Sequence, residues 1–263
     1  MKITDLHIHS NWSSDSNLPM QVAVDTAIGG HISCMAFTDH LDIGYPTSSS
    51  PFLNIPSYLY QISALQKDAN ITILKGIEVG ITKSNRKETQ SILEYFSFDY
   101  IIASCHGNDE VEFFSKKARE LYGDNLLKVY FNHILFIVLS LSSFHSLAHI
   151  DYILRYHPLS LEEFLDYESD IDKILQVLIQ RNKALEINTK DMTSEKCKSM
   201  YSFLLTRYRK LGGKWVVFGS DAHQAKDIGK SYQDAKGILN QAGFSSFAIP
   251  TQHGWVLSSE SSL

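Results

Sequence analysis

Thiols are scarce in this chain: Cys34, Cys105 and Cys197 are odd in number, far apart, and form no Cys-x-x-Cys. No disulfide framework is implied, and a reducing, cytoplasmic setting is expected. The first residues carry no basic segment followed by a long apolar run, so no secretory leader is expected. The longest apolar stretch, Ile134 to Leu141, falls far short of the roughly 18 residues that a membrane span needs. Positive charge is in deficit, with 24 Lys and Arg against 29 Asp and Glu and a formal net charge of -5. That balance argues against a nucleic-acid partner, which needs a basic face to displace counterions, yet it permits a small phosphorylated substrate gripped by one or two local cations. No Gly-x-Gly-x-x-Gly follows a strand-like run and no Walker-type loop occurs, so a dinucleotide or nucleoside triphosphate site has no support. Proline and glycine are scattered and nowhere pool into a linker.

What is present is an apolar fraction of 44% over 263 residues, enough for a core and a usual length for a single α/β barrel. Short runs rich in β-branched and apolar residues alternate with longer segments of helical periodicity. The strand candidates are Lys2 to His9, Cys34 to Thr38, Ile71 to Val79, Tyr100 to His106, Ser146 to Ile150, Ala184 to Asn188 and Trp215 to Ser220. Ile171, Ile174, Leu175, Leu178 and Ile179 follow the stripe of a helix laid on a sheet; Tyr201, Leu204, Leu205, Tyr208 and Leu211 do the same, and Gly212-Gly213 stops that helix. The Ser-rich last six residues are expected to fray. Alternating strands and helices imply a parallel sheet. Almost every candidate strand ends in His, Asp, Glu or Asn, and a closed barrel gathers all such ends at one mouth where an open sheet would spread them along an edge. The expectation is one domain over residues 1–263, an α/β barrel of about seven βα units.

The stretch Asp5-Leu6-His7-Ile8-His9 carries the first chemistry, because strand side chains repeat every two residues and so place His7 and His9 on one side, close enough to share a cation. Asp221-Ala222-His223 repeats that logic. Glu78 lies in an apolar run flanked by Gly76 and Gly80, and a buried carboxylate is costly unless a cation, whether metal or basic side chain, compensates it. His106 and His149 each end an apolar strand, whereas His31, His133, His145, His157 and His253 fall outside the pattern and read as surface or core residues.

In order along the chain, His7-Ile8-His9, Asp15, Thr38-Asp39-His40, Glu78, His106, His149 and Asp221-Ala222-His223 resemble the polymerase and histidinol phosphatase (PHP) family, nearest its histidinol-phosphate phosphatase branch. Ala148-His149-Ile150-Asp151-Tyr152, Leu185-Glu186-Ile187-Asn188-Thr189 and Gly219-Ser220-Asp221-Ala222-His223 extend the likeness almost end to end. The resemblance implies a distorted (β/α)7 TIM-like barrel of PHP type with three divalent metal ions at its mouth. It implies one site from His7, His9, Glu78 and Asp221, a second from Glu78, His106 and His149, and a third from Asp15, His40 and His223. Asp15 is read either as that ligand or as a loop carboxylate capping the following turn.

Nitrogen and carboxylate donors without thiolate suit zinc, manganese or iron alike. Such a cluster lowers the pKa of a bound water toward ~7 and neutralises phosphoryl charge. The resemblance also implies that Arg155 contacts substrate phosphate. Where relatives often supply a second arginine, this chain has Lys190 at the first place and Thr193 at the later one, keeping a charge but not the bidentate fork. Asp39 is read as orienting a ligand, moving a proton or capping a helix. The leaving alcohol takes its proton from a cluster-bound water, from Asp221 or from a nearby histidine. The expected activity is a metal-dependent phosphomonoesterase acting on L-histidinol phosphate in histidine biosynthesis, with a diester or nucleic-acid-end hydrolase and an inactive metal-binding accessory module as the competing readings.

Overall fold

A computed structural model describes residues 3–45 and 53–259 of the chain. Lys2, the expected start of the first strand, and the last four residues of the Ser-rich tail lie outside the described residues. Ten strands are defined among those described: β1 (Ile3–Ile8), β2 (Ile32–Phe37), β3 (His40–Leu41), β4 (Thr72–Gly80), β5 (Tyr100–Ser104), β6 (Ser146–Leu147), β7 (Ala184–Asn188), β8 (Val216–Gly219), β9 (Ala248–Thr251) and β10 (Gly254–Leu257). The first eight form a parallel sheet in the order β1-β2-β4-β5-β6-β7-β8, with β3 paired to β4. A parallel bridge from Ile8 to Ala222, with the His9 amide donating to the Ala222 carbonyl at 2.9 Å, brings the two edges together. The result is an eight-stranded, nearly closed barrel.

Eight strands still amount to seven positions around it. β2 pairs with the first half of β4, from Cys34 opposite Thr72 to Phe37 opposite Lys75, and β3 pairs with its second half, His40 opposite Glu78. They are one strand broken at Thr38-Asp39, where the Asp39 side chain leaves the ladder to accept from the Ser10 amide at 2.7 Å.

Strand periodicity sorts the side chains into two layers. Along β7, Ala184 packs in the barrel interior with Leu6, Ala36, Tyr100 and Ile102, while Leu185 and Ile187 face the helices. The helices Glu168–Gln180 and Glu195–Lys210 bury the stripes expected of them, and Gly212, at φ 101°, turns the second one off. The hairpin of β9 and β10 was not anticipated; its Ala248 and Ile249 join the interior apolar layer, and Trp255 stacks on Trp215 with centroids 6.3 Å apart.

Closure leans on Asp5, fully buried, whose carboxylate accepts from the Ser220 amide at 2.9 Å and the Gly229 amide at 2.8 Å. Burial pushes its pKa up to about 6 against the lowering effect of these bonds. Removing the acceptor orphans both amides, each costing on the order of 1–3 kcal/mol. Asp5→Ala is therefore expected to destabilise the protein by about 2 kcal/mol in denaturant unfolding, and an unchanged midpoint would show that closure does not depend on it.

Candidate active site

The carboxyl ends of the strands bring six of the eleven histidines into one cluster. Ring centroids are 5.1 Å apart for His7 and His9, 4.4 Å for His9 and His40, 4.2 Å for His9 and His223, and 5.2 Å for His106 and His149. The five histidines read as surface or core stay out of it; His133 and His157 are tied to the carbonyls of Ile81 and Phe113.

Glu78 stands at the centre, fully buried, and its two oxygens serve different neighbours. Oε1 lies 2.7 Å from His149 Nε2 and 3.3 Å from His106 Nε2, and it also accepts from the Ser104 hydroxyl at 2.6 Å. Oε2 lies 3.0 Å from His40 Nδ1, 3.4 Å from His9 Nε2 and 3.5 Å from His7 Nε2. Despite three ring nitrogens so close, Oε2 has no hydrogen-bond partner, and His40 Nδ1 has none either. Lone pairs that converge without bonding one another are the arrangement a cation requires, and the donor set of imidazole and carboxylate fits one.

Five donor groupings overlap among the described residues, two of them His7 with His149 and Asp221, and His40 with Asp42 and His106. The other three correspond to the expected sites. His7, His9 and Glu78 offer one, with Asp221 Oδ1 at 3.5 Å from His9 Nε2 and 3.9 Å from His7 Nε2. Glu78, His106 and His149 offer a second. Asp15, His40 and His223 offer a third, joined by His9; the Asp15 carboxylate reaches His223 Nε2 at 3.0 Å and His40 Nε2 at 3.5 Å.

The electrostatics reflect this crowding. Burial works against charge on both His7 and Glu78, yet the carboxylates of Glu186, Glu78 and Asp221 hold the His7 pKa well above its ordinary value, and His7, His106 and His40 hold Glu78 well below the carboxylate range. His9 goes the other way: burial, then His223 and His40, push it far down. Asp221, although buried, is held well below its ordinary value by Lys190, His7 and Arg155.

The Asp221-Ala222-His223 segment is not an extension of the strand before it. β8 stops at Gly219, and Asp221 sits in the left-handed region at φ 54°, a position costly for a residue with a Cβ. Its carboxylate is held there by Arg155 Nη1 at 3.0 Å and Lys190 Nζ at 3.2 Å. The turn, not a shared strand face, brings Asp221 and His223 together.

Of the two expected phosphate-binding cations, Lys190 is half-exposed and lines the cavity at the mouth, about 290 Å³ in volume, together with Asp15, His40, Glu78, Asp221 and His223. Arg155 is placed differently. Its guanidinium is buried behind Asp221 and is absent from that lining, with Asp151 taken at 2.9 and 3.1 Å and Asn188 at 3.0 Å. Four of its five N–H groups are committed to protein.

Asp39, counted among the catalytic candidates, is also outside the cavity lining. It accepts from the Ser10 amide and hydroxyl and, at 2.7 Å, from the Ser13 hydroxyl, whose oxygen lies 3.1 Å from His9 Nδ1. No helix of the described residues begins at Asp39. Its position is one that orients His9 through Ser13.

Two carboxylates with clear places in the site had no role assigned from sequence. Glu186 accepts at 2.7 Å from His7 Nδ1 and at 2.8 Å from the His149 amide, fixing one histidine directly and the backbone of another. Gly219 makes room for it: a Cβ there would overlap Glu186 Oε1 and stand 2.6 Å from His7 Cβ. Asp42 bonds His106 Nδ1 at 2.9 Å and accepts from the Gly80 amide at 2.9 Å. Glu186 was visible in principle, since it lies one strand period before Asn188 on an otherwise apolar strand, the same signal that marks Glu78. Asp42 falls in a short irregular segment with no periodicity to mark it. Outer carboxylates of this kind are worth about 10–100-fold. Glu186→Gln is expected to lower kcat/KM within that range with its metal-binding constant weakened in parallel; unchanged affinity and rate would deny it the orienting role.

The PHP domain model matches residues 5–190. The histidinol-phosphatase of Lactococcus lactis subsp. lactis is 33% identical over 258 residues, covering 94% of each chain. The chain belongs to the PHP domain family. Among solved structures, histidinol phosphate phosphatase from Lactococcus lactis, complexed with zinc, L-histidinol and phosphate, superposes with a TM-score of 0.89 at 30% identity, covering 97% of this chain and 99% of that one. A Listeria monocytogenes protein shares the PHP barrel with a TM-score of 0.76 at 18% identity, covering 88% and 98% of the two chains. The distorted barrel expected from the sequence is thus the one observed. No helix of the described residues is long and apolar enough to cross a membrane.

Proposed function

We propose that this PHP domain protein is a metal-dependent phosphomonoesterase that hydrolyses L-histidinol phosphate to L-histidinol and phosphate. The observation that carries the reading is Glu78, whose oxygens divide between two histidine groups with Oε2 left unbonded, in a chain that matches a zinc, histidinol and phosphate complex over 97% of its length. We take residues 1–263 as one catalytic domain whose three expected groupings would hold three divalent ions, Glu78 being common to the first two. Ions of the zinc, manganese or iron type would lower the pKa of a water toward ~7 and offset the charge on the phosphoryl oxygens.

The rest is done by the chain's own residues. Lys190 supplies a point charge at the cavity wall for the phosphate. Arg155 holds Asp221 in its strained turn. Asp221 lines the cavity beside His9 and His223, a position from which it can take the proton of the attacking water and then deliver it to the leaving alcohol oxygen. His223 Nδ1 lies 2.9 Å from the Asp221 carbonyl and 3.5 Å from Asp221 Oδ1, which sets an N–H donor beside the carboxylate.

The test pairs elemental analysis of the purified protein with phosphate release from L-histidinol phosphate, p-nitrophenyl phosphate and a 5′-phosphorylated oligonucleotide. Bound metal with L-histidinol phosphate as the preferred substrate is expected. Preference for the oligonucleotide would replace this reading with a nucleic-acid one, and a metal-replete protein inert on all three would make the chain an accessory module.

A further inference from the structure

Most of the groups that hold the cluster come from strand ends and the loops after them. One comes from further out. Tyr201 lies on the helix Glu195–Lys210, in the stripe laid on the sheet, fully buried and absent from the cavity lining. Its hydroxyl donates to Asp151 Oδ1 at 2.7 Å and accepts from the Asn188 amide at 3.1 Å. Asp151 and Asn188 are also the residues that grip Arg155: Nε donates to Asp151 Oδ2 at 2.9 Å, and Nη2 donates to Asp151 Oδ1 at 3.1 Å and to Asn188 Oδ1 at 3.0 Å. Arg155 Nη1 in turn donates to Asp221 Oδ2 at 3.0 Å. An unbroken line of hydrogen bonds therefore runs from an outer helix to a carboxylate of the cluster.

Asp151 shows what the line costs locally. It stands at the N-cap of the short helix Tyr152–Tyr156, where an aspartate ordinarily accepts from a helix amide, yet its side chain makes no cap bond. Both oxygens are turned to Arg155 instead. A side-on fork fixes the plane of a guanidinium only as firmly as the carboxylate is itself fixed, and the Tyr201 hydroxyl pins one of the two oxygens. Asp221 needs such a brace. It sits in the left-handed region at φ 54°, and its other cation, Lys190, is half-exposed on a flexible stem. The buried guanidinium is the stiffer of its two partners, so the setting of Arg155 decides where the Asp221 carboxylate lies relative to His7 and His9.

The same helix carries a built-in control. Tyr208, two turns further along the same stripe, is equally buried, and its hydroxyl donates at 3.0 Å to the carbonyl of Lys183. Lys183 precedes β7, whereas Asn188 ends it, so the two tyrosines serve opposite ends of one strand.

We propose that Tyr201 is a positioning residue for the hydrolysis, setting Asp221 through Asp151 and Arg155 without touching substrate or ions. The inference rests on the phosphatase reading for what Asp221 does in turnover; the placing of Asp221 as a metal donor is measurable without it.

The experiment compares wild type, Tyr201→Phe and Tyr208→Phe in kcat/KM on L-histidinol phosphate, in zinc affinity by chelator competition, and in thermal midpoint. Each variant loses one buried hydrogen bond of the fold, so both midpoints should fall by about 2–4 °C. Only Tyr201→Phe should lose kcat/KM, by about 10-fold, with one zinc ion weakened to a similar extent, the lower end of the range for groups that orient a ligand from behind. Tyr208→Phe should stay within about 2-fold of wild type in both. In an Arg155→Lys background, where the fork is already gone, Tyr201→Phe should cost less than about 2-fold more, because the two substitutions break the same line. Equal effects of the two tyrosine variants, or full additivity with Arg155→Lys, would overturn the positioning role. The two proposals fail separately. A wild type inert on phosphoesters whose zinc affinity still falls in Tyr201→Phe and not in Tyr208→Phe loses the phosphatase reading and keeps the brace; an active wild type with both variants alike loses only the brace.

Discussion

Glu78→Gln is expected to reduce kcat/KM by more than about 10³-fold, a loss of roughly 4 kcal/mol of transition-state stabilisation. Glutamine keeps the volume and can still accept from the Ser104 hydroxyl, so the packing around a fully buried position is preserved. What it cannot keep is the pair of anionic oxygens, one within 3.3 Å of His106 and His149 and the other within 3.5 Å of His7, His9 and His40. An amide nitrogen in place of either oxygen points donor hydrogens at a cation site. Metal content should therefore fall in elemental analysis while circular dichroism stays that of wild type. A variant with full metal and wild-type turnover would show that Glu78 is a structural carboxylate and would remove the centre of the proposed site.

Removal of metal is expected to abolish phosphate release altogether, and readdition of zinc or manganese to restore it. It should also lower the thermal midpoint. An ion present at 100 times its dissociation constant stabilises the fold by about 2.7 kcal/mol. For a chain of this size that corresponds to roughly 5–10 °C per ion.

The metal-free protein should moreover acquire a pH dependence that the loaded protein lacks. Against the opposing effect of burial, Asp42 and Glu78 raise His106 to about 9, and neighbouring carboxylates raise His7 and His40 well above the ordinary value of 6.5. Folded values above the unfolded one mean that the protonated, ion-paired histidines contribute stability fully below about pH 6.5 and lose it as pH rises through about 9. Bound ions displace those protons, so affinity for metal should climb over the same window. Thermal midpoints of chelated and reloaded protein, measured from pH 6.5 to 9, should therefore diverge. Parallel curves would argue that the histidines and Glu78 do not hold cations.

These expectations rest on features that were legible in the sequence to different degrees. His7 and His9 are two residues apart on a strand, and periodicity alone placed their Nε2 atoms within reach, as the 3.1 Å separation bears out. Glu78 stood out because a carboxylate in an apolar run between glycines needs compensation. The flanking Gly80 has its reason in space: a Cβ there would overlap Asp42 Oδ1 and stand 2.5 Å from the Tyr45 hydroxyl. Asp221 and His223 have the same two-residue spacing as the first pair, but they meet through a left-handed turn that no alternation rule contains. Arg155 shows the same limit. Its identity as a site cation could be named from the motif around it, yet whether it faces the cavity or braces Asp221 depends on Asn188 and Asp221, which come from strand ends far along the chain.

By itself, then, the sequence determined the alternation of strand and helix, the convergence of polar strand ends that only a barrel allows, and the donor types that make a cation cluster. Those properties are local: they depend on side-chain period and on atoms within a few residues of one another. The tertiary structure alone decided that β2 and β3 are one broken strand, that Asp39 and Glu186 act on His9 and His7 from behind, and that Tyr201 reaches Asp151 from an outer helix. Each of these sets an angle or a distance between segments far apart in the chain, and such distances are fixed only when the barrel closes and buried polar atoms must find partners.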